Sequence, residues 1–121
     1  YACWVDTEAQ IDAVIAVSGS GPAYFFRIME IMQKIGQELG LPEQIARDLS
    51  INTVLGAARM ATESGTSATQ LREQVTSPGG TTQAALQSFE QQNLEDVFRK
   101  AMNSALDRAE VMSADLGSAT K

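Results

Sequence analysis

Histidine is absent from this 121-residue chain, and cysteine occurs once, at Cys3. Without imidazole there is no His-based acid–base pair and no Ser-His-Asp or Cys-His nucleophile, and the commonest zinc ligand is missing. No metal site is expected. A single thiol cannot form an internal disulfide, which leans the redox setting mildly toward the cytoplasm. Cations are also scarce: 9 Lys+Arg stand against 15 Asp+Glu, a net charge of −6. Nucleic-acid surfaces need clustered Lys and Arg for phosphate contacts, so that partner is not expected. No apolar run approaches the roughly 18–20 residues of a membrane span, so no membrane partner is expected either. There is no basic leader, and the chain opens on Tyr1 rather than Met, which suggests a fragment.

What is abundant favours helix. Ala, Gln, Leu, Glu, Arg, Met and Lys supply 59 of 121 residues, and these are the good helix formers. Only 3 Pro and 9 Gly punctuate the chain, most of them between periodic segments. An all-α, helical bundle-like domain spanning 1–121 is the expectation, with no internal repeat and no second domain.

Thr7-x-x-Gln10 is a capping box ahead of Ile11, Val14 and Ile15 at helical spacing. The run Ala13–Val17 fits a helix or a short buried strand, and periodicity does not decide. Ser18-Gly19-Ser20-Gly21-Pro22 then reads as a break. A long helix follows from Ala23 to Leu39, with Phe25, Ile28, Met29, Met32, Ile35 and Leu39 in one stripe and Gly40 as its C-terminal cap. Tyr24, Phe26 and Ile31 widen the apolar face, so this helix is expected to be buried on more than one side, either inside the domain or against a partner. A third helix runs from Pro42 to about Glu63 and stops at Gly65, its middle rich in small residues around Gly56–Ala61. Ser67-x-x-Gln70 caps a short helix ending near Val75. Another runs from about Thr82 to Gln91, and Asn93 reads as the N-cap of the last helix. The tail Gly117–Lys121 is expected to fray. The acidic pairs Glu43/Asp48 and Glu95/Asp96 belong to solvated helix starts, and the five methionines fall mostly at core spacing.

Two loops have chemical potential. Gly19-Ser20-Gly21-Pro22-Ala23-Tyr24 imitates a dinucleotide fingerprint poorly, because Tyr24 stands where a small residue must let helix and strand pack. A tight inter-helix turn is the plainer reading. Ser77-Pro78-Gly79-Gly80-Thr81-Thr82 opens a helix, and its glycines permit backbone N–H groups to converge at the positive helix end. With hydroxyls from Ser77, Thr81 and Thr82 and no Lys or Arg, the loop suits a carboxylate better than a phosphate. The alternative is an ordinary loop with a threonine cap.

The order Ala13–Tyr24, Gly40-Leu41-Pro42, Leu55-Gly56-Ala57-Ala58-Arg59-Met60 and Val75–Thr82 closely resembles the C-terminal half of the pyrroline-5-carboxylate reductase family. The resemblance implies a helical dimerisation domain, similar to the C-terminal domains of the 6-phosphogluconate dehydrogenase-like superfamily, with the family's N-terminal dinucleotide-binding domain absent. It implies helix at Ile11–Val17. It implies reduction of 1-pyrroline-5-carboxylate to L-proline with NADPH or NADH in the cytoplasm, the last step of proline biosynthesis, by a homodimer or higher homo-oligomer. By the same resemblance Ser77, Gly79, Gly80, Thr81 and Thr82 bind the substrate, backbone N–H groups hold its carboxylate, and Thr82 is catalytic, hydrogen-bonding near the ring nitrogen. Gly19, Ser20 and Gly21 are implied near the nicotinamide end of the cofactor. The chain alone is expected to be inactive. A free-standing helical dimerisation module that binds a small carboxylate without turnover is the alternative.

Overall fold

Two of the helix starts can be traced to a local exchange of hydrogen bonds between side chain and backbone. The structure, a computed structural model, describes the backbone of residues 1–119 and the side chains of residues 1–117. At Glu8–Val14 (α1), Thr7 Oγ1 accepts the Gln10 N–H at 3.2 Å, and Gln10 Oε1 accepts the N–H groups of Asp6 and Thr7 at 2.6 and 3.3 Å. The same reciprocal box, with Ser67 and Gln70, opens Ala68–Gln74 (α4). These exchanges satisfy donors that a helix start otherwise leaves open.

Ile11–Val17 is helical, as the resemblance implies, but the expected break at Ser18–Pro22 is not a loop. Ile15–Gly19 forms a π turn, closed by the Ser20 N–H donating to the Ile15 carbonyl at 2.8 Å. Helix α2 (Gly21–Glu38) starts two residues before the predicted Ala23, with Pro22 in its first turn. Pro22 has no N–H to lose there, so proline and two glycines did not interrupt the helical path. Ser18 Oγ donates to the Val14 carbonyl at 3.0 Å, and the Tyr24 hydroxyl to the Ala16 carbonyl at 2.7 Å. The widened turn is thereby held from both sides.

Helix α2 ends in a Schellman cap. Gly40 takes φ 105, the Leu41 N–H donates to the Gly36 carbonyl, and the Gly40 N–H to that of Gln37, both at 3.0 Å. Helix α3 (Glu43–Glu63) follows Pro42 and stops before Gly65, which takes φ 66. A Cβ at Gly36 would meet Ala46 Cβ at 3.3 Å, so the turn between α2 and α3 closes on a glycine–alanine contact. Helix α5 spans Thr81–Gln91 and α6 spans Leu94–Ala119. Asn93 stands at the N-cap position that the sequence predicts, its carbonyl accepting the Val97 N–H at 3.1 Å, though it takes a left-handed φ of 56. Asparagine tolerates this left-handed region better than most residues with a side chain. The tail expected to fray from Gly117 continues α6 through Ala119; residues 120–121 lie outside the described residues.

The chain divides into two compact units, one of residues 1–24 with the chain from Asn93 onward, the other Phe25–Gln92. In the first, α1 and the π turn pack on α6, and the rings of Tyr24 and Phe98 meet edge-on with centroids 6.4 Å apart. Arg99 bridges Glu95 and Asp96 at 2.6 and 2.7 Å in the first turn of α6, and these bonds raise its pKa further above the usual arginine value. In the second unit α3 and α4 pack together. Among the described residues the buried ones are Ala16, Gly21, Ala46 and Ser50. The stripe expected to be covered by the domain or a partner is largely bare within this chain: Phe25, Phe26, Met32 and Ile35 on α2 and Leu39 just beyond it are exposed, as are Met60 on α3 and Met112 on α6, while Ile28 and Met29 are half-buried. The described chain thus carries the helices of a folded domain and very little interior.

Candidate functional site

The Ser77–Thr82 loop lies in the unit Phe25–Gln92 and links α4 to α5. After α4 the chain is held by the Thr76 hydroxyl and N–H, which donate to the carbonyls of Arg72 and Glu73. Ser77-Pro78-Gly79-Gly80 then makes a type II turn, with the Gly80 N–H donating to the Ser77 carbonyl at 3.0 Å and Gly79 at φ 73. Proline at the second position and glycine at the third are what this turn demands. Gly80 is required for a different reason than the freedom of backbone that the sequence suggests. Its φ is −89, open to any residue, but an added Cβ would lie 3.2 Å from the Ser77 carbonyl oxygen. One glycine supplies the handedness and the other the clearance.

The donors at this helix start are arranged differently from those of α1 and α4. Gly80 is the N-cap of α5 and has no side chain to offer, so no side-chain cap exists. The Gly80 N–H is used by the turn, and the Gly79 N–H donates to Gln83 Oε1 at 2.7 Å. The N–H groups of Thr81, Thr82 and Gln83 find no acceptor in the described chain. Three open donors at the positive end of an 11-residue helix form a local field suited to one anion. Thr81 and Thr82 are exposed in this first turn, and no titratable group in the loop competes for the anion. Gln83 is the residue that the sequence reading missed. A Gln at the third helical position is a signal for capping, but with glycine rather than Ser or Thr at the N-cap it does not look like a box.

Gly19, Ser20 and Gly21 lie in the other unit. Gly19 closes the π turn, Ser20 follows it, and Gly21 is buried at the start of α2. The Ser20 N–H is taken by Ile15, and the Ser20 carbonyl accepts the Ala23 N–H at 3.1 Å. A helix enters this segment where a pyrophosphate loop needs a strand, so these residues do not fit a dinucleotide pyrophosphate. No group of three or more acidic or thiol side chains among the described residues is placed to hold a metal ion, and no described helix is long and apolar enough to cross a membrane.

A model of the pyrroline-5-carboxylate reductase dimerisation family matches residues 8–112. The chain belongs to that family. It is 49% identical over 116 residues to the pyrroline-5-carboxylate reductase of Pseudomonas aeruginosa, a match covering 96% of this chain and 42% of the relative. The Haemophilus influenzae reductase is 46% identical over 110 residues, covering 90% of this chain and 41% of its own length. Among solved structures, a pyrroline-5-carboxylate reductase from Coxiella burnetii superposes with a TM-score of 0.85 at 51% identity, over 88% of this chain and 40% of that one. The Plasmodium falciparum pyrroline carboxylate reductase, solved with NADP bound, gives 0.83 at 29% identity, over 88% and 41%. The chain therefore spans about two fifths of the length of the relatives it matches. The family assignment and the all-α fold agree, since the described residues contain helices and no strand.

Proposed function

We propose that this chain is the dimerisation and substrate-binding domain, one helical domain over 1–121, of an oxidoreductase that reduces 1-pyrroline-5-carboxylate to L-proline with NADPH or NADH in proline biosynthesis. The observation that carries this reading is the glycine-built turn that leaves the Thr81, Thr82 and Gln83 N–H groups open at the start of α5, in a chain whose named relatives are reductases of that imine. The substrate carries one carboxylate beside one C=N bond. Those N–H groups, joined by that of Gly79, bind the carboxylate, which fixes the ring and brings its nitrogen beside the Thr82 hydroxyl. Ser77, Gly79, Gly80 and Thr81 complete the loop that sets this position.

The dinucleotide is held mainly outside this chain and supplies the hydride when bound. What this chain contributes is orientation and one proton contact. Thr82 Oγ1 donates a hydrogen bond at the ring nitrogen, where negative charge would otherwise build as the C=N bond is reduced. Its hydroxyl is too weak an acid to do more than orient and relay a proton from water. Gly19, Ser20 and Gly21 approach the nicotinamide end, a reading supported by the family resemblance alone. Homodimerisation is supported by the bare apolar faces of α2, α3 and α6, since large exposed apolar faces mark protein interfaces. The exposed free thiol of Cys3 suits the reducing cytoplasm.

Thr82→Ala in the reductase that contains this chain tests the assignment. Losing one hydrogen bond made in the transition state costs roughly 2–4 kcal/mol, about 30- to 1,000-fold in turnover. Steady-state kinetics should show that fall in kcat with the dimer intact by sedimentation. Unchanged turnover would remove the catalytic role of Thr82.

A further inference from the structure

Three helices of this chain place glutamine at their third residue: Gln10 in α1, Gln70 in α4 and Gln83 in α5. In α1 and α4 the exchange is complete, because Thr7 and Ser67 return a side-chain oxygen to the helix. In α5 only half of it exists. Gln83 Oε1 reaches back to the Gly79 N–H at 2.7 Å, while Gly80 returns nothing and the next three N–H groups stay open. An amide oxygen therefore sits at the mouth of the helix end that is read above as the carboxylate site. It presents the lone pairs of one carboxylate oxygen without the charge.

We propose that the Gln83 side chain is an internal stand-in for the substrate carboxylate, which occupies the Gly79 N–H in the free protein and yields it when the anion binds. This rests on the carboxylate reading of the loop. The exchange runs in the right direction, because a hydrogen bond to an ionised acceptor is roughly twice as strong as one between neutral groups. Gln83 lies on the first turn of α5, is partly exposed, and has no other side-chain hydrogen bond to hold it. Gln83 thus lowers the affinity for the carboxylate and keeps the turn ordered between ligands. It is a positioning residue that acts on binding and not on the chemical step.

The test is an amide-resolved NMR titration of the 121-residue chain with L-proline, in the wild type and in Gln83→Leu, which keeps the length and removes the acceptor. In the wild type the Gln83 side-chain amide and the Gly79 N–H should shift along the same saturation curve as the Thr81–Gln83 backbone amides. Gln83→Leu should bind L-proline about two- to tenfold more tightly, the worth of one net neutral hydrogen bond no longer displaced. Backbone shifts at Thr81–Gln83 with the Gln83 side chain unmoved would overturn the stand-in and leave the carboxylate site intact. Equal or weaker binding by Gln83→Leu would do the same, marking Gln83 as a brace of the turn. If L-proline moves none of these amides in either protein, the carboxylate reading fails and this proposal falls with it. The wild-type side-chain shift is read without any variant, so a poorly folded Gln83→Leu does not remove the test.

Discussion

Ile35→Glu separates a helix that meets a partner from one that faces water. Ile35 is 46% exposed and shares its stripe on α2 with Phe25 and Met32, both also exposed. If the chain works alone, a charge here is an ordinary surface change, within about 0.5 kcal/mol. The neighbouring apolar side chains argue otherwise, since Phe25, Phe26 and Met32 on the same helix are also exposed and large exposed apolar faces mark protein interfaces. Placing Glu in that interface forfeits about 1 kcal/mol of isoleucine burial and adds the desolvation of a carboxylate. Taking about 3 kcal/mol per copy, a two-fold interface counts the loss twice, and about 6 kcal/mol weakens the dimer roughly 10⁴-fold. Sedimentation velocity at low micromolar concentration should show a wild-type dimer and an Ile35→Glu species that is monomeric and loses helix. A folded wild-type monomer, or a variant that dimerises as well as the wild type, would refute the reasoning.

The remaining expectations concern the loop and the cofactor. Gly80→Ala forces a Cβ to within 3.2 Å of the Ser77 carbonyl oxygen, and overpacking of this kind costs about 1–2 kcal/mol. In the complete reductase it should raise the KM for the imine five- to thirtyfold by that estimate while kcat stays close to wild type, because the carboxylate is held alike in substrate and transition state; an unchanged KM would show that the turn does not set the anion site. The chain alone should neither bind NAD(P)H nor reduce the imine, because its only glycine-rich imitation of a pyrophosphate loop is a π turn entered from a helix. Micromolar binding, followed by nicotinamide fluorescence, would contradict this.

Local exchanges were legible in the residues. Thr7 with Gln10, Ser67 with Gln70, and Gly40 ahead of Pro42 each name a helix end whose hydrogen bonds close within a few residues. The π turn was not legible, because what stabilises it is distant in sequence: Tyr24 reaches back eight residues to Ala16, and its ring meets Phe98 on α6. Ser-Gly-Ser-Gly-Pro carries every mark of a loop, yet proline in a first turn and a serine bonded to the preceding turn are compatible with helix. The apolar stripes are legible as burial-seeking, but periodicity says which face is apolar and not whose surface covers it; the exposure of Phe25, Met32 and Ile35 favours a partner over an interior of this chain. At the candidate site the turn Ser77–Gly80 was visible from Pro and Gly alone. The engagement of the Gly79 N–H was not, because it depends on where one rotatable glutamine places its oxygen.

On the proposed function, the start of α5 receives the substrate carboxylate. A crystal structure of the reductase that contains this chain, grown with L-proline, tests it most directly. The carboxylate should lie within hydrogen-bond distance of the Gly79, Thr81, Thr82 and Gln83 N–H groups, with the ring nitrogen beside Thr82 Oγ1. L-proline bound with its carboxylate on another helix end or on an arginine, and the α5 start left to water, would contradict it.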